Sequence, residues 1–107
     1  MKAKEYFEKY GEGIMEEARS SEIITDGPMA KMYISFHIEA RDMIKQRNVK
    51  TDNGLFGIIR EMNDKWNAVA NLFIKKYGVS PIKRDGFKIG WMQQLNLSEE
   101  EKARLPL

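Results

Sequence analysis

The sequence predicts an all-α fold, a compact bundle of three main helices followed by a short helical C-terminal segment. Apolar residues recur at three- and four-residue steps in three separate stretches, residues 4–19, 28–47 and 54–77. Polar turns and helix caps separate the stretches, and a short connection makes consecutive helices antiparallel neighbours. At 107 residues the chain has the usual size of one domain, so we expect a single helical domain over residues 1–107.

The first helix, predicted over residues 4–19, is the weakest of the three. One face carries the apolar residues Tyr6, Phe7, Tyr10, Ile14 and Ala18. Gly11 and Gly13 fall in one turn of this helix, and each costs about 1 kcal/mol relative to alanine. Two such glycines either break a helix or allow another backbone to approach closely, and we expect a continuous but locally weak helix.

The second helix, predicted over residues 28–47, begins after a turn. Asp26 can accept hydrogen bonds from free backbone amides, and Pro28 is tolerated only in a first helical turn. The apolar stripe of this helix is Met29, Met32, Tyr33, Phe36, Ala40, Met43 and Ile44. In the connection before it, Ile23 and Ile24 stand among polar residues, and we expect both side chains to fold back onto the core.

The third helix, predicted over residues 54–77, is the longest and most regular, and we expect the others to pack along it. Its stripe alternates between four- and three-residue steps through Leu55, Ile59, Met62, Trp66, Val69 and Phe73. Thr51, Asp52 and Asn53 can each cap its start, and Gly78 stands where a left-handed residue commonly ends a helix. Both ends of this helix are therefore marked in the sequence.

The segment over residues 81–95 admits two interpretations. A four-residue spacing favours a further short helix, through Phe87, Trp91 and Leu95. Asp85 and Gly86 are instead typical of a hairpin turn, and the residues on both sides alternate as in strands, Ile82 and Arg84 before the turn and Phe87, Ile89 and Trp91 after it. We prefer the helix, because an isolated hairpin is marginally stable and Pro81 removes a hydrogen-bond donor from one strand.

Composition excludes several classes of protein. The chain has no cysteine, which rules out disulfides, thiol catalysis and thiolate metal sites. The first ten residues are charged where a secretory signal needs an apolar run, and no stretch reaches the roughly 18 apolar residues of a membrane span. We therefore expect a soluble, cytoplasmic protein. A small, mildly basic chain of this kind would also suit a phage or mobile genetic element.

The net charge of +2 is unevenly distributed. Residues 1–26 hold four Lys and Arg against seven Asp and Glu, a balance of −3, whereas residues 27–96 hold twelve against six, a balance of +6. Opposite charges can simply help the helices to dock, or an acidic and a basic face can serve different partners. Both interpretations remain open at this point.

The sequence shows no catalytic or metal-binding constellation. His37 is the only histidine, and helical spacing turns Glu39 away from it, so we expect His37 to be a partly buried, hydrogen-bonded residue at the edge of the second stripe. The glycine pairs at residues 11–13 and 54–57 lack the lysine and the preceding strand of a phosphate loop. We predict no metal, no cofactor and no enzymatic activity.

One mixed cluster of basic and aromatic residues remains as a candidate site, at residues 75–91. Basic side chains can neutralise phosphates while aromatic rings stack on unpaired bases. The candidate contact residues are Lys75, Lys76, Lys83, Arg84, Lys88 and Trp91, with Tyr77 and Phe87 interleaved. The same cations also suit helix ends and turns, and the rings suit a core.

The function we predict is that of a small, non-enzymatic cytosolic interaction or regulatory protein that presents a helical surface to a macromolecular partner. The seven methionines suit helical cores, but they also suit an adaptable groove for a protein partner, of which a homodimer is the simplest case. The alternative is a nucleic-acid-binding accessory protein that uses residues 75–91. A small-ligand site would instead appear as a polar-lined cavity between helices.

Overall fold

A computed structural model describes residues 1–20 and 27–82, and this part contains three α-helices. They are α1 (Ala3–Ser20), α2 (Pro28–Gln46) and α3 (Asp52–Tyr77), each in contact with the other two. The bounds fall within two residues of those predicted, and the all-α bundle of three helices is confirmed. Ile23, Ile24 and nearly all of the predicted segment 81–95 lie outside the described residues, although Pro81 and Ile82 form a turn.

The two ends of α3 are closed by the residues that the sequence indicates. Of the three candidate caps it is Thr51 that serves, its side-chain oxygen accepting a hydrogen bond of 3.1 Å from the Gly54 N–H. At the other end Gly78 is left-handed, with φ of +80°, and its N–H donates to the carbonyl of Ile74 at 2.9 Å. A helix end needs such partners because its last backbone groups have none inside the helix.

The start of α2 is capped from another helix. Its N-cap position is Gly27, which has no side chain to offer, and the predicted cap, Asp26, lies outside the described residues. The N–H of Met29 donates instead to a carboxylate oxygen of Glu17 in α1, at 3.1 Å. A negative charge is favourable at a helix N-terminus, so this contact both caps α2 and ties it to the end of α1.

The contacts between helices show that consecutive helices run antiparallel. Tyr6, near the start of α1, reaches Glu39 in the second half of α2, whereas Glu17, near the end of α1, reaches Met29 at the start of α2.

The helices α2 and α3 are also antiparallel. Arg47, just after α2, pairs with Glu61 in the first half of α3, whereas Phe36, in the middle of α2, packs against Trp66 farther along α3.

The core lies where the three predicted stripes meet. Aromatic rings connect the helices, with centroids 4.2 Å apart for Tyr6 and Phe36 and 5.1 Å apart for Phe36 and Trp66. The largest contribution comes from α3, which buries Ile58, Ile59, Met62, Trp66, Val69, Ala70 and Phe73. His37 is only 2% exposed, so the prediction of a partly buried edge position is wrong. His37 is buried like its neighbour Phe36, because the bundle encloses that side of α2.

The glycines of α1 do not break the helix, which confirms the continuous helix that was predicted. A Cβ added at Gly13 would lie 2.8 Å from Cγ of Pro28. Gly13 therefore permits a close approach, although the group that approaches is the ring that begins α2. Gly57 in α3 is different, because a Cβ there would meet nothing within 4 Å.

We predict that Gly57→Ala stabilises the protein by about 0.5–1 kcal/mol, since alanine is the better helix former and the site is open. Gly13→Ala gains the same propensity but pushes against the rigid ring of Pro28, and we expect a net loss of stability. Urea unfolding followed by circular dichroism measures both changes. An equal stabilisation by the two substitutions would contradict the close contact between α1 and α2.

We predict that Trp66→Ala lowers the free energy of unfolding by about 3–5 kcal/mol, because it removes the largest fully buried side chain of the described core. The matched control is Phe56→Ala in the same helix, where the ring is 62% exposed and the expected change is within about 0.5 kcal/mol. Chemical denaturation gives both values. A tryptophan variant as stable as the control would refute the packing described for α3.

Candidate functional site

The basic and aromatic cluster predicted at residues 75–91 is described only at its start. Lys75 and Lys76 lie exposed in the last turn of α3, whereas Lys83, Arg84, Lys88 and Trp91 lie outside the described residues. The ammonium of Lys76 lies 5.8 Å from the ring centroid of Phe7 and 5.3 Å from that of Tyr77. The structure thus adds a ring from α1 to this cluster, which the sequence pattern did not indicate.

These rings have partners within the protein. Phe7 packs edge-on against Phe73 with a centroid distance of 5.0 Å, and the cation of Lys76 lies within cation–π range of Phe7 and Tyr77. In the described residues, Lys76 docks on α1 through an aromatic ring, and no carboxylate of α1 pairs with it. The lysine thus uses ring faces that a stacked nucleobase would need.

A second candidate is a recess between the start of α1 and the second half of α2. Its volume is about 380 Å³, which falls in the size range of sites that hold small molecules or a few side chains. The lining combines polar and apolar residues, namely Met1, Tyr6, Ser35, Ile38, Glu39, Asp42, Met43 and Gln46. The sequence could not place this recess, because its lining comes from both the start of the chain and α2.

The carboxylate of Glu39, a residue of α2, lies in this recess and is held by groups from α1 and α3. The hydroxyl of Tyr6 in α1 donates to one of its oxygens, and the ammonium of Lys65 in α3 donates to the other. The amino group of Met1 lies 3.4 Å from the oxygen that accepts from Tyr6. Because several donors converge on it, this side chain is fixed in one orientation.

The protonation states of Glu39 and Tyr6 are also fixed. Burial alone would raise the pKa of Glu39, but the hydrogen bonds from Lys65 and Tyr6 and the nearby positive charges outweigh it, and the pKa is lowered. Burial and the hydrogen bond to Glu39 raise the pKa of Tyr6 far above its ordinary value. Near neutral pH the carboxylate therefore stays charged and the phenol stays neutral.

The outer face of α2 continues from the recess along the surface. Its residues follow at steps of four, three, four and three, and they are Lys31, Ser35, Ile38, Asp42 and Lys45. All are exposed except Ser35, which is half-buried. Ile38 is 39% exposed and stands between a small polar residue and an acid. We call this set of five residues the α2 outer face.

Sequence reasoning did not select this face, although one local signal was available. Ile38 falls outside the apolar stripe of the second helix, at a position where the helical period predicts contact with solvent. An aliphatic residue at such a position is unremarkable alone. The exposed Ile38 is notable only because it borders the recess. That recess forms only in the folded protein, since Tyr6 of α1 is part of its lining.

No protein-family model, curated protein or solved structure matches this chain. None of the three described helices is long and apolar enough to cross a membrane.

We predict that Glu39→Gln destabilises the protein by about 1–3 kcal/mol at pH 7, because the neutral amide loses the charge-assisted hydrogen bonds. The pKa of Glu39 is lower in the folded state than in the unfolded state. Its contribution is therefore complete above the unfolded value of about 4.5 and disappears as the pH falls through the folded value. Urea unfolding of both proteins at pH 7 and pH 3 measures the difference.

The control is Glu61→Gln, since the pair of Glu61 with Arg47 is about half exposed and solvent screens it. We expect a smaller effect at pH 7 for this variant. If Glu39→Gln were equally destabilising at both pH values, the charge on Glu39 would not be the source of its stability.

Proposed function

We propose that the protein is a small, non-enzymatic interaction or regulatory protein of the cytoplasm that binds a macromolecular partner through the α2 outer face and the adjoining recess. The observation that carries this proposal is the exposed Ile38, which lines a recess together with the hydrogen-bonded carboxylate of Glu39. An aliphatic side chain next to a preformed hollow offers a partner both a projection and a place to insert.

The arrangement around Ile38 resembles the general plan of a protein interface, in which apolar contacts are surrounded by polar residues. Met43 is half-buried next to the recess, and Asp42 and Gln46 are exposed at its edge. Because Tyr6 and Lys65 hold Glu39 in place, a partner would lose little conformational entropy in ordering this surface.

The protonation states support a role without catalysis. A general acid or base works best when its pKa lies near the working pH. The pKa of Glu39 is lowered and that of Tyr6 is raised. Both pKa values therefore move away from neutral pH. The network is thus better suited to holding structure than to transferring protons.

Nucleic-acid binding through residues 75–91 has weaker support. Lys75 and Lys76 are both exposed, but the cation of Lys76 already lies over the rings of Phe7 and Tyr77. The remaining residues of that prediction lie outside the described part of the chain. The described residues therefore favour a protein partner over a nucleic acid.

The test is photo-crosslinking in cells that express the protein. A photoreactive benzophenone amino acid replaces Ile38 in one variant and Asn67 in another. Asn67 is the matched control, because it is exposed in the middle of α3 and away from the recess. After irradiation, denaturing electrophoresis and mass spectrometry identify the covalent adducts.

We expect a discrete adduct from position 38 and none from position 67. An adduct of any macromolecule that is specific to position 38 supports the proposal. Absence of an adduct, or the same adducts from both positions, would overturn it.

A further inference from the structure

We propose that the partner of the α2 outer face is a second copy of this chain, docked with the two α2 helices antiparallel. This inference rests on the proposed function, since it assigns an occupant to the same surface. It follows from the positions of one aliphatic residue, one small residue and two opposite charges along the helix.

The spacing of the α2 outer face suits pairing of two helices. Steps of four and three residues keep side chains on one line along a helix, as in the contact line of a coiled coil. Two antiparallel copies of such a line pair in layers, and a two-fold axis makes each layer occur twice. When the axis passes between residues 36 and 37, position 38 meets position 35 of the second copy, and position 31 meets position 42.

The central layers of this pairing join a large side chain to a small one. Ile38 of each copy lies against Ser35 of the other, so two branched aliphatic side chains meet beside the axis. Ser35 and Ile38 both line the recess, which leaves room next to Ser35 for the side chain that enters. The dimer would thereby cover the aliphatic surface that one copy leaves 39% exposed.

The flanking layers join opposite charges. Lys31 of each copy meets Asp42 of the other, and the symmetry forms this ion pair twice. Both side chains are exposed, and in the described part of the chain neither is engaged in an ion pair. Lys45, the remaining charge of the face, falls opposite Pro28 in this register and meets no like charge.

The contact has only four layers, and two of them are exposed ion pairs, which contribute little and weaken further as the salt concentration rises. We therefore expect a weak dimer that forms at high protein concentration and low ionic strength.

The experiment is sedimentation velocity of the full chain over a concentration series up to about 1 mM, at low and at high salt. The variants are Lys31→Glu, Asp42→Lys and the double variant that carries both. Each single substitution places like charges opposite each other, whereas the double variant restores two opposite pairs with their signs exchanged. We expect a concentration-dependent dimer for the natural chain, at least a tenfold weaker dimer for each single variant, and recovery in the double variant.

The matched controls are Lys75→Glu and Asp64→Lys, which make the same changes of charge at exposed positions of α3. We expect both to dimerise like the natural chain. Circular dichroism of every variant establishes that it is folded, and Ile38→Ser supplies a variant that weakens the central layers without changing the charge.

A natural chain that remains monomeric up to about 1 mM at low salt would overturn the inference. Failure of the double variant to recover while both single variants lose the dimer would overturn the register. The crosslinking experiment separates this inference from the proposed function. An adduct of twice the mass of the chain supports both, whereas an adduct with another macromolecule, together with a monomeric chain, supports the function and refutes self-association.

Discussion

The recess beside the α2 outer face depends on one carboxylate. Glu39 of α2 accepts a hydrogen bond from Tyr6 of α1 and another from Lys65 of α3, so a single side chain connects all three helices by polar contacts. Its side chain is only 21% exposed, and an unpaired charge at such a position would be costly. Because the charge is fully paired, the part of α2 that borders the recess has one defined position.

Local patterns were sufficient to predict the helices but not this network. Periodicity and caps such as Thr51 and Gly78 act within a few residues, so they can be recognised along the chain. The partners of Glu39 come from residues 6 and 65, and no spacing within α2 reveals them. The sequence therefore indicated where the helices lie, whereas the recess emerged only from the way they pack.

Lys76 shows that a sequence pattern can also suggest a binding site where the fold supplies an internal contact. Its neighbours in sequence suggest a cluster of cations and rings that is open to phosphates and bases, because composition records which groups are close along the chain. The folded protein brings Phe7 from α1 to the same place, and the ring provides an internal partner for the cation. The sequence pattern cannot show whether a side chain is free to bind a ligand or already contacts another part of the protein.

The outward face of α2 suits self-association better than the outward faces of the other two described helices. An antiparallel pair of α1 helices would oppose like charges, since its exposed acids are Glu5, Glu8, Glu12 and Glu16. On α3 the exposed Phe56 and Ile74 stand about five turns apart, with Arg60 between them, so no continuous apolar contact forms. On α2 the two-fold axis brings two copies of Ile38 close together. It also places Lys31 of each copy opposite Asp42 of the other. Among these three helices, this face alone covers its exposed aliphatic side chain and pairs Lys31 with Asp42 by meeting itself.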